Sequence, residues 1–168
     1  FYPGGSDYPV ILGAAVSDDG TLAACVSGID RQRVLLIKIT GNQYKVIFHA
    51  YLEGNLRRQA YVDFGKNGSS VIFEYAKGIG VIDCKKSTAN YIPFDGRIVT
   101  TGECPSDKLV VALMQNGESY TLAAIEQPNH LVASLAFTAK HAFLVQRDEA
   151  IFLGMDNRIS RINIRGVK

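Results

Sequence analysis

The groups able to do chemistry in this sequence are few and widely spaced. Three histidines stand at His49, His130 and His141, and three cysteines at Cys25, Cys84 and Cys104. A transition-metal site needs donors at short, regular spacing, such as His-x-x-x-His or Cys-x-x-Cys, and neither pattern occurs. Cys25 and Cys84 fall inside apolar runs and read as small core hydrophobes, and an odd cysteine count argues against a disulfide framework. Asp18, Asp19, Asp95 and Asp107 sit in turns, where a carboxylate commonly bonds to its own backbone. The Asp18-Asp19 turn lacks the alternating oxygen ligands of a calcium loop. Glu53, Glu74, Glu103 and Glu149 are scattered. Two of them brought together in space would give the acid and base of a glycosidase, but no spacing marks such a pair. No Gly-x-Ser-x-Gly elbow is present. Gly78-Ile79-Gly80 is half of a dinucleotide fingerprint, but it lies between short β runs and reads as a hairpin turn. Asn67-Gly68-Ser69 matches the N-glycosylation sequon on a turn whose backbone alone explains those residue types. No catalytic, cofactor-binding or metal-binding residue is therefore assigned, and no cofactor is expected.

The elements that would position these groups are strands. The chain has 168 residues, of which 47% are hydrophobic and 20% charged, with a formal charge of +2. That is a globular composition, long enough to bury a core without metal or disulfide. Valine, isoleucine, tyrosine, phenylalanine and threonine fill the apolar runs, and these types suit a pleated sheet. The basic clusters, Arg31-Gln32-Arg33, Arg57-Arg58, Lys85-Lys86 and Arg158 to Arg165, are short and read as loop charges. Nucleic-acid and membrane-surface binding thus have no electrostatic support. No run of 18 apolar residues exists to span a bilayer.

A turn between two β runs recurs along the chain. Val16 to Gly20 separates Ile11–Val16 from Thr21–Ser27, and Phe64 to Gly68 separates Ala60–Phe64 from Ser70–Tyr75. Cys104 to Lys108 separates Ile98–Gly102 from Leu109–Met114, and Phe137 to His141 separates Leu131–Phe137 from Ala142–Gln146. Third runs follow at Arg33–Ile39, Gly80–Cys84, Tyr120–Ile125 and Ala150–Met155, and Asn116-Gly117 marks one of the intervening breaks as a hairpin. Fourth runs follow at Tyr44–Tyr51, Asn90–Phe94 and Arg158–Ile164. The third unit shows no distinct fourth run, so its last strand and the next unit's first are expected to be compressed into Leu131–Phe137. Leu22–Val26 and Leu109–Leu113 do not alternate and are expected to be buried on both faces. His130–Ala139 is the best helix candidate, but its β-branched and aromatic content favours a strand.

The stretch Gly13-Ala14-Ala15-Val16-Ser17-Asp18-Asp19-Gly20-Thr21-Leu22-Ala23-Ala24 resembles the first hairpin of a WD40-like or YVTN-like propeller blade. Val62 to Tyr75, Thr101 to Met114 and Leu135 to Gln146 are similar but more degraded. The landmarks Ser17, Gly65, Ser106 and Thr138 recur near the roughly 40–45-residue period of a four-stranded blade. The sequence has no tryptophan, so no Trp-Asp pair closes a blade, and no Gly-His pair opens one. The resemblance implies an all-β fold of antiparallel four-stranded blades forming a partial or small β-propeller. Residues 1–168 are read as one domain with units near 9–52, 58–95, 97–127 and 131–165.

Four units are few for a closed ring. The chain, which begins at Phe1, is therefore expected to be an open arc, a fragment of a larger propeller or half of a dimeric assembly, and a portion of a larger protein with or without a membrane anchor. Its compartment is left open between cytoplasmic and extracytoplasmic after removal of a leader or anchor. The expected role is a non-catalytic interaction or scaffold module. Its partners are a protein or a second copy, met through exposed strand edges or loops, with no nucleic acid and no membrane insertion within the segment. The alternative is a carbohydrate-active or other small-molecule enzyme with a site assembled from blade loops. Tyr44, Phe48, Tyr51, Tyr61, Phe73, Tyr75, Tyr91 and Phe94 are expected to be mainly core, with a few contact anchors.

Overall fold

The computed structural model describes residues 10–65, 68–104, 109–126, 130–147 and 150–162. Asn67, Asp107 and Glu149 and the segment 1–9 lie outside them, as does the end of the run Arg158–Ile164. Fifteen strands and no helix make up the regular structure of these residues, as the all-β reading requires. The chain divides into two compact units, residues 1–94 and 95–168, each carrying two sheets.

In the first unit, β1 (Ile11–Val16), β2 (Leu22–Ser27), β3 (Arg33–Thr40) and β4 (Gln43–Tyr51) form one sheet in sequence order. A second sheet follows: β5 (Val62–Phe64), β6 (Ser70–Tyr75), β7 (Gly78–Asp83) and β8 (Thr88–Pro93). In the second unit, β9 (Arg97–Cys104), β10 (Leu109–Asn116), β11 (Ser119–Glu126) and β12 (His130–Thr138) form a third sheet. There, β13 (Ala142–Arg147), β14 (Ala150–Met155) and β15 (Arg158–Arg161) form a fourth. Every pairing is antiparallel between chain neighbours.

The turn that opens the first two repeats is the same structure twice. Ser17 N–H donates to Leu22 C=O at 2.9 Å and Gly20 N–H to Ser17 C=O at 2.8 Å. The equivalent bonds, Gly65 to Ser70 at 3.0 Å and Gly68 to Gly65 at 2.8 Å, close the second. In the first, Asp19 accepts from the backbone N–H of Thr21 at 3.0 Å and from the Ser17 hydroxyl at 2.7 Å. These bonds hold its carboxyl below the usual range, the Thr21 amide contributing most. Asp19 is therefore occupied with the turn.

Two expectations about pairing and turns are corrected. The first concerns Leu131–Phe137, which does not open the fourth repeat. It lies within β12 and pairs with β11 from Ser119↔Thr138 to Glu126↔His130, as the outer strand of the third sheet. The third repeat thus runs to residue 138, and the fourth begins at Ala142 with three strands among the described residues. The runs at Ala142, Ala150 and Arg158 become its first, second and third strands. An apolar pattern marks a strand but not which neighbour it bonds. The second correction is that Gly78-Ile79-Gly80 is strand rather than turn. Tyr75 pairs with Gly78, so the hairpin loop is Ala76-Lys77. Gly80 then sits between Phe73 on β6 and Tyr91 on β8, its partners in the two ladders. The Phe73 ring lies over the space a Gly80 Cβ would fill. The hairpin that Asn116-Gly117 marks is present: Asn116 pairs with Ser119, so the loop is Gly117-Glu118, with Gly117 at φ 59°. Glycine first in a two-residue loop at positive φ matches the twist of the strands it joins.

The first core lies between the two sheets of the first unit. Ala24, Val26, Val34 and Leu36 from one sheet meet Val71, Phe73, Tyr75, Ile82 and Cys84 from the other, with Leu56 and Ala60 of the connecting segment. All six residues of β6 are buried, and so are Val110 to Met114 of β10, which makes these strands inner ones. In β2, by contrast, only Ala24 and Val26 are fully buried, because one face alone meets the second sheet. In the second unit, Gly102 on β9 lets Ile151 of β14 approach to within 3.2 Å of where its Cβ would stand. A small residue on an edge strand thus sets a close sheet-to-sheet contact.

Candidate functional site

The ladder of the first sheet brings four chain segments to one end. Ile11 pairs with Ser27, Ser27 with Arg33 and Arg33 with Tyr51. The start of β1, the β2–β3 loop and the chain leaving β4 therefore lie side by side. Gly28 N–H donates to Val10 C=O at 2.9 Å, and Leu52 N–H to Gln32 C=O at 2.9 Å. The β2–β3 loop is tight. Gly28 has φ 108°, and a Cβ there would stand 2.7 Å from Arg31 C=O, so glycine is required.

Gln32 locks the two loops together. It is 2% exposed. Its Nε2 donates to Leu56 C=O at 2.6 Å, and its Oε1 accepts from Leu56 N–H at 2.7 Å. A side-chain amide thus reproduces both bonds that a neighbouring strand would give to that peptide. The second unit uses the same device: Gln146 Nε2 donates to Glu103 C=O at 2.7 Å, and Glu103 N–H donates to Gln146 Oε1 at 2.9 Å.

Behind the first clamp, Arg58 makes a bidentate pair with Glu74, with bonds of 2.8 and 2.5 Å. Glu74 is 2% exposed and also accepts from Tyr61 N–H at 3.2 Å. The pairing raises the Arg58 pKa. Glu74 is consequently a structural carboxylate that anchors the segment 56–61 to β6.

These loops enclose an open-sided cleft of about 370 Å³, lined by Val10, Leu12, Gly28, Ile29, Asp30, Gln32, Asn55, Leu56 and Arg57. Its walls are mainly apolar, with Asp30, Asn55 and Arg57 at the rim. Next to it, Ile29 is 56% and Tyr51 49% exposed. The Arg31 guanidinium lies 3.9 Å above the Tyr51 ring, a cation–π contact. No motif marks Asp30, Asn55 or Arg57. The available signal is two short basic clusters, one at 31–33 leading into β3 and one at 57–58 in the connection between β4 and β5. Loop charges so placed converge only if the strands pair in the observed register.

Among the described residues, the chemistry-bearing side chains do not converge. His49 lies exposed on β4, its ring 6.5 Å from Tyr51. His141 is exposed, its N–H donating to Asp156 Oδ1 at 3.1 Å. His130 is the first residue of β12. Cys84 is buried, and burial pushes its thiol up to about 11; Cys25 is half-buried and raised for the same reason. Glu53 lies near enough to Tyr75 to help raise that phenol, after burial, while Asp95 accepts from Asn116 Nδ2 at 3.4 Å. No cluster of three metal-ligating side chains exists among the described residues. Of the aromatic residues, Phe73 and Tyr75 are core, whereas Tyr44, Tyr51 and Tyr91 are exposed.

Repeated antiparallel meanders of up to four strands, joined in series and packed through small inner residues, define a protein of the β-propeller class. Residues 1–168 match a family model described as beta-propeller protein, and the chain belongs to that family. It is 42% identical over 167 residues to an uncharacterized protein of Treponema pallidum (strain Nichols), an alignment covering 99% of this chain and 44% of the relative. The chain thus spans less than half the length of that curated relative. Among solved structures it is similar to the CNH domain of AfRom2, with a TM-score of 0.61 and 9% identity over 94% of this chain and 53% of that one. It is also similar to the β-propeller domain of the Trilobed protease from Pyrococcus furiosus, with a TM-score of 0.60 and 10% identity over 94% of this chain and 58% of that one. Likenesses at such identities show the fold alone.

Proposed function

We propose that this chain is a non-catalytic interaction module that binds another polypeptide, or a second copy of itself, through the end of its first sheet. One observation carries the reading: Ile29 and Tyr51 stand half-exposed beside an apolar cleft, with Arg31 stacked on the tyrosine. Tyrosine and arginine beside a desolvated pocket are the residue types that dominate protein–protein binding energy. The loops that carry them are held rigidly by the Gln32 clamp, so little ordering entropy opposes binding. Among its described lining residues the cleft offers one carboxyl, Asp30, whereas glycoside hydrolysis needs two.

The test is site-specific photo-crosslinking in cells that produce the protein, with a benzophenone side chain in place of Ile29. The control places the same group at Tyr44, which is as exposed but sits at the hairpin end of the same sheet. A discrete adduct from position 29 that Tyr51→Ala abolishes is expected, its mass separating self-association from another partner. Equal labelling from both positions, or none from position 29, overturns the proposal.

A further inference from the structure

We infer that the interior of the cleft is a binding site for a short peptide with free ends and an aliphatic side chain between them. This rests on the contact face proposed above, with which the cavity shares Ile29, and names the class of ligand that the cavity takes. Three features of the cleft select that chemistry.

The first is size. At about 370 Å³, the cavity sits at the lower end of the roughly 300–1,000 Å³ of small-ligand sites. It accommodates a few residues, not a folded surface. The second is the wall. Val10, Leu12, Ile29 and Leu56 present aliphatic groups, and among the described residues no aromatic side chain lines the cavity. That favours a branched aliphatic side chain over a planar ring. The third is the pair of opposite charges. Asp30 and Arg57 both line the cleft and are both exposed. Neither makes an ion pair or hydrogen bond with another described residue. An acid and a base left open at the mouth of an apolar cavity complement a dipolar ligand, with an ammonium at Asp30 and a carboxylate at Arg57. Arginine's fork matches a carboxylate in two bonds. The polar groups of the floor are already satisfied, because Gln32 and Leu56 bond to each other. Selectivity therefore falls to the rim charges and the aliphatic wall.

The experiment is an NMR titration of the full chain at low ionic strength with Gly-Leu-Gly bearing free ends. The same tripeptide acetylated and amidated, and Gly-Phe-Gly, serve as comparisons. Saturable shifts are expected at the amides of Gly28, Ile29 and Leu56. Each exposed charge contact is worth up to about fivefold in affinity. Asp30→Asn and Arg57→Gln should therefore each weaken binding about three- to fivefold, and added salt should weaken it further. Both side chains are exposed, so the variants keep the wild-type amide spectrum elsewhere, which checks their fold. Absence of saturable shifts at millimolar peptide, equal binding of the blocked tripeptide, or preference for phenylalanine overturns the inference. None of those results touches the crosslinking outcome at Ile29.

Discussion

Replacing Gln32 by methionine tests the loop clamp on which the whole site depends. Methionine keeps the length of the side chain and leaves little cavity, so the change isolates the two hydrogen bonds to Leu56. Their short distances, 2.6 and 2.7 Å, and the 2% exposure of Gln32 mark them as fully formed. Leaving a buried donor or acceptor unpaired costs roughly 1–3 kcal/mol for each group. The Leu56 peptide offers one of each, and the adjoining cleft admits water to one side, which places the loss near 2–3 kcal/mol. The backbone bond from Leu52 N–H to Gln32 C=O survives, so opening is confined to the segment 52–57. The assay is hydrogen exchange at the Leu56 amide, which should quicken roughly 30- to 150-fold while β6 and β7 stay protected. Gln32→Glu separates the bonds. One oxygen still accepts from Leu56 N–H, but the other then faces Leu56 C=O without a proton to donate. The raised pKa of that glutamate would make its stabilising contribution complete below about pH 4.3 and lost as pH rises through the folded value. Unchanged exchange at Leu56 in the methionine variant would refute the clamp and with it the preformed cleft.

Two further outcomes follow from the packing. Gly80→Ala places a methyl group where the Phe73 ring now lies, and overpacking of this kind costs about 1–3 kcal/mol; a urea midpoint lowered in Gly80→Ala and partly restored by adding Phe73→Leu would confirm it. Cys84, held up at about 11 against the ordinary 9.0, should react with iodoacetamide at pH 8 about a hundredfold more slowly than the same thiol in urea. Because burial favours the neutral thiol, its contribution to stability is complete below pH 9 and lost as pH rises toward 11, which a pH series of unfolding midpoints compared with Cys84→Ala would reveal.

Much of the strand order was legible before any coordinates. Turn residues such as Asp19-Gly20 and Gly68 act locally, so the hairpins they announce are found close to where the residues stand. The misplacements were also local in origin. Gly78-Ile79-Gly80 suits a turn by residue type but is strand, because the hairpin loop is Ala76-Lys77. Leu131–Phe137 carries an apolar pattern that suits either neighbouring sheet, and only the ladder to β11 assigned it. The site was the less legible part. Gln32 and Gln146 have no spacing in common, and each becomes informative only when its amide is seen clasping a peptide that the fold has delivered.

Local chemistry thus determined that this chain is a series of antiparallel meanders with small residues on its inner strands. Side-chain period, β-branched content and turn preference are all short-range properties, and they pointed to the propeller class of repeat that the family match and the sheets bear out. What needed tertiary structure was everything that depends on which distant segments meet. The pairing of β12, the pairing of exposed Arg58 with buried Glu74 and the convergence of residues 10–12, 28–32 and 55–57 into one cleft all arise from register and packing. A residue's neighbours across a sheet are set by hydrogen-bond ladders spanning tens of residues, and no short motif along the chain records them.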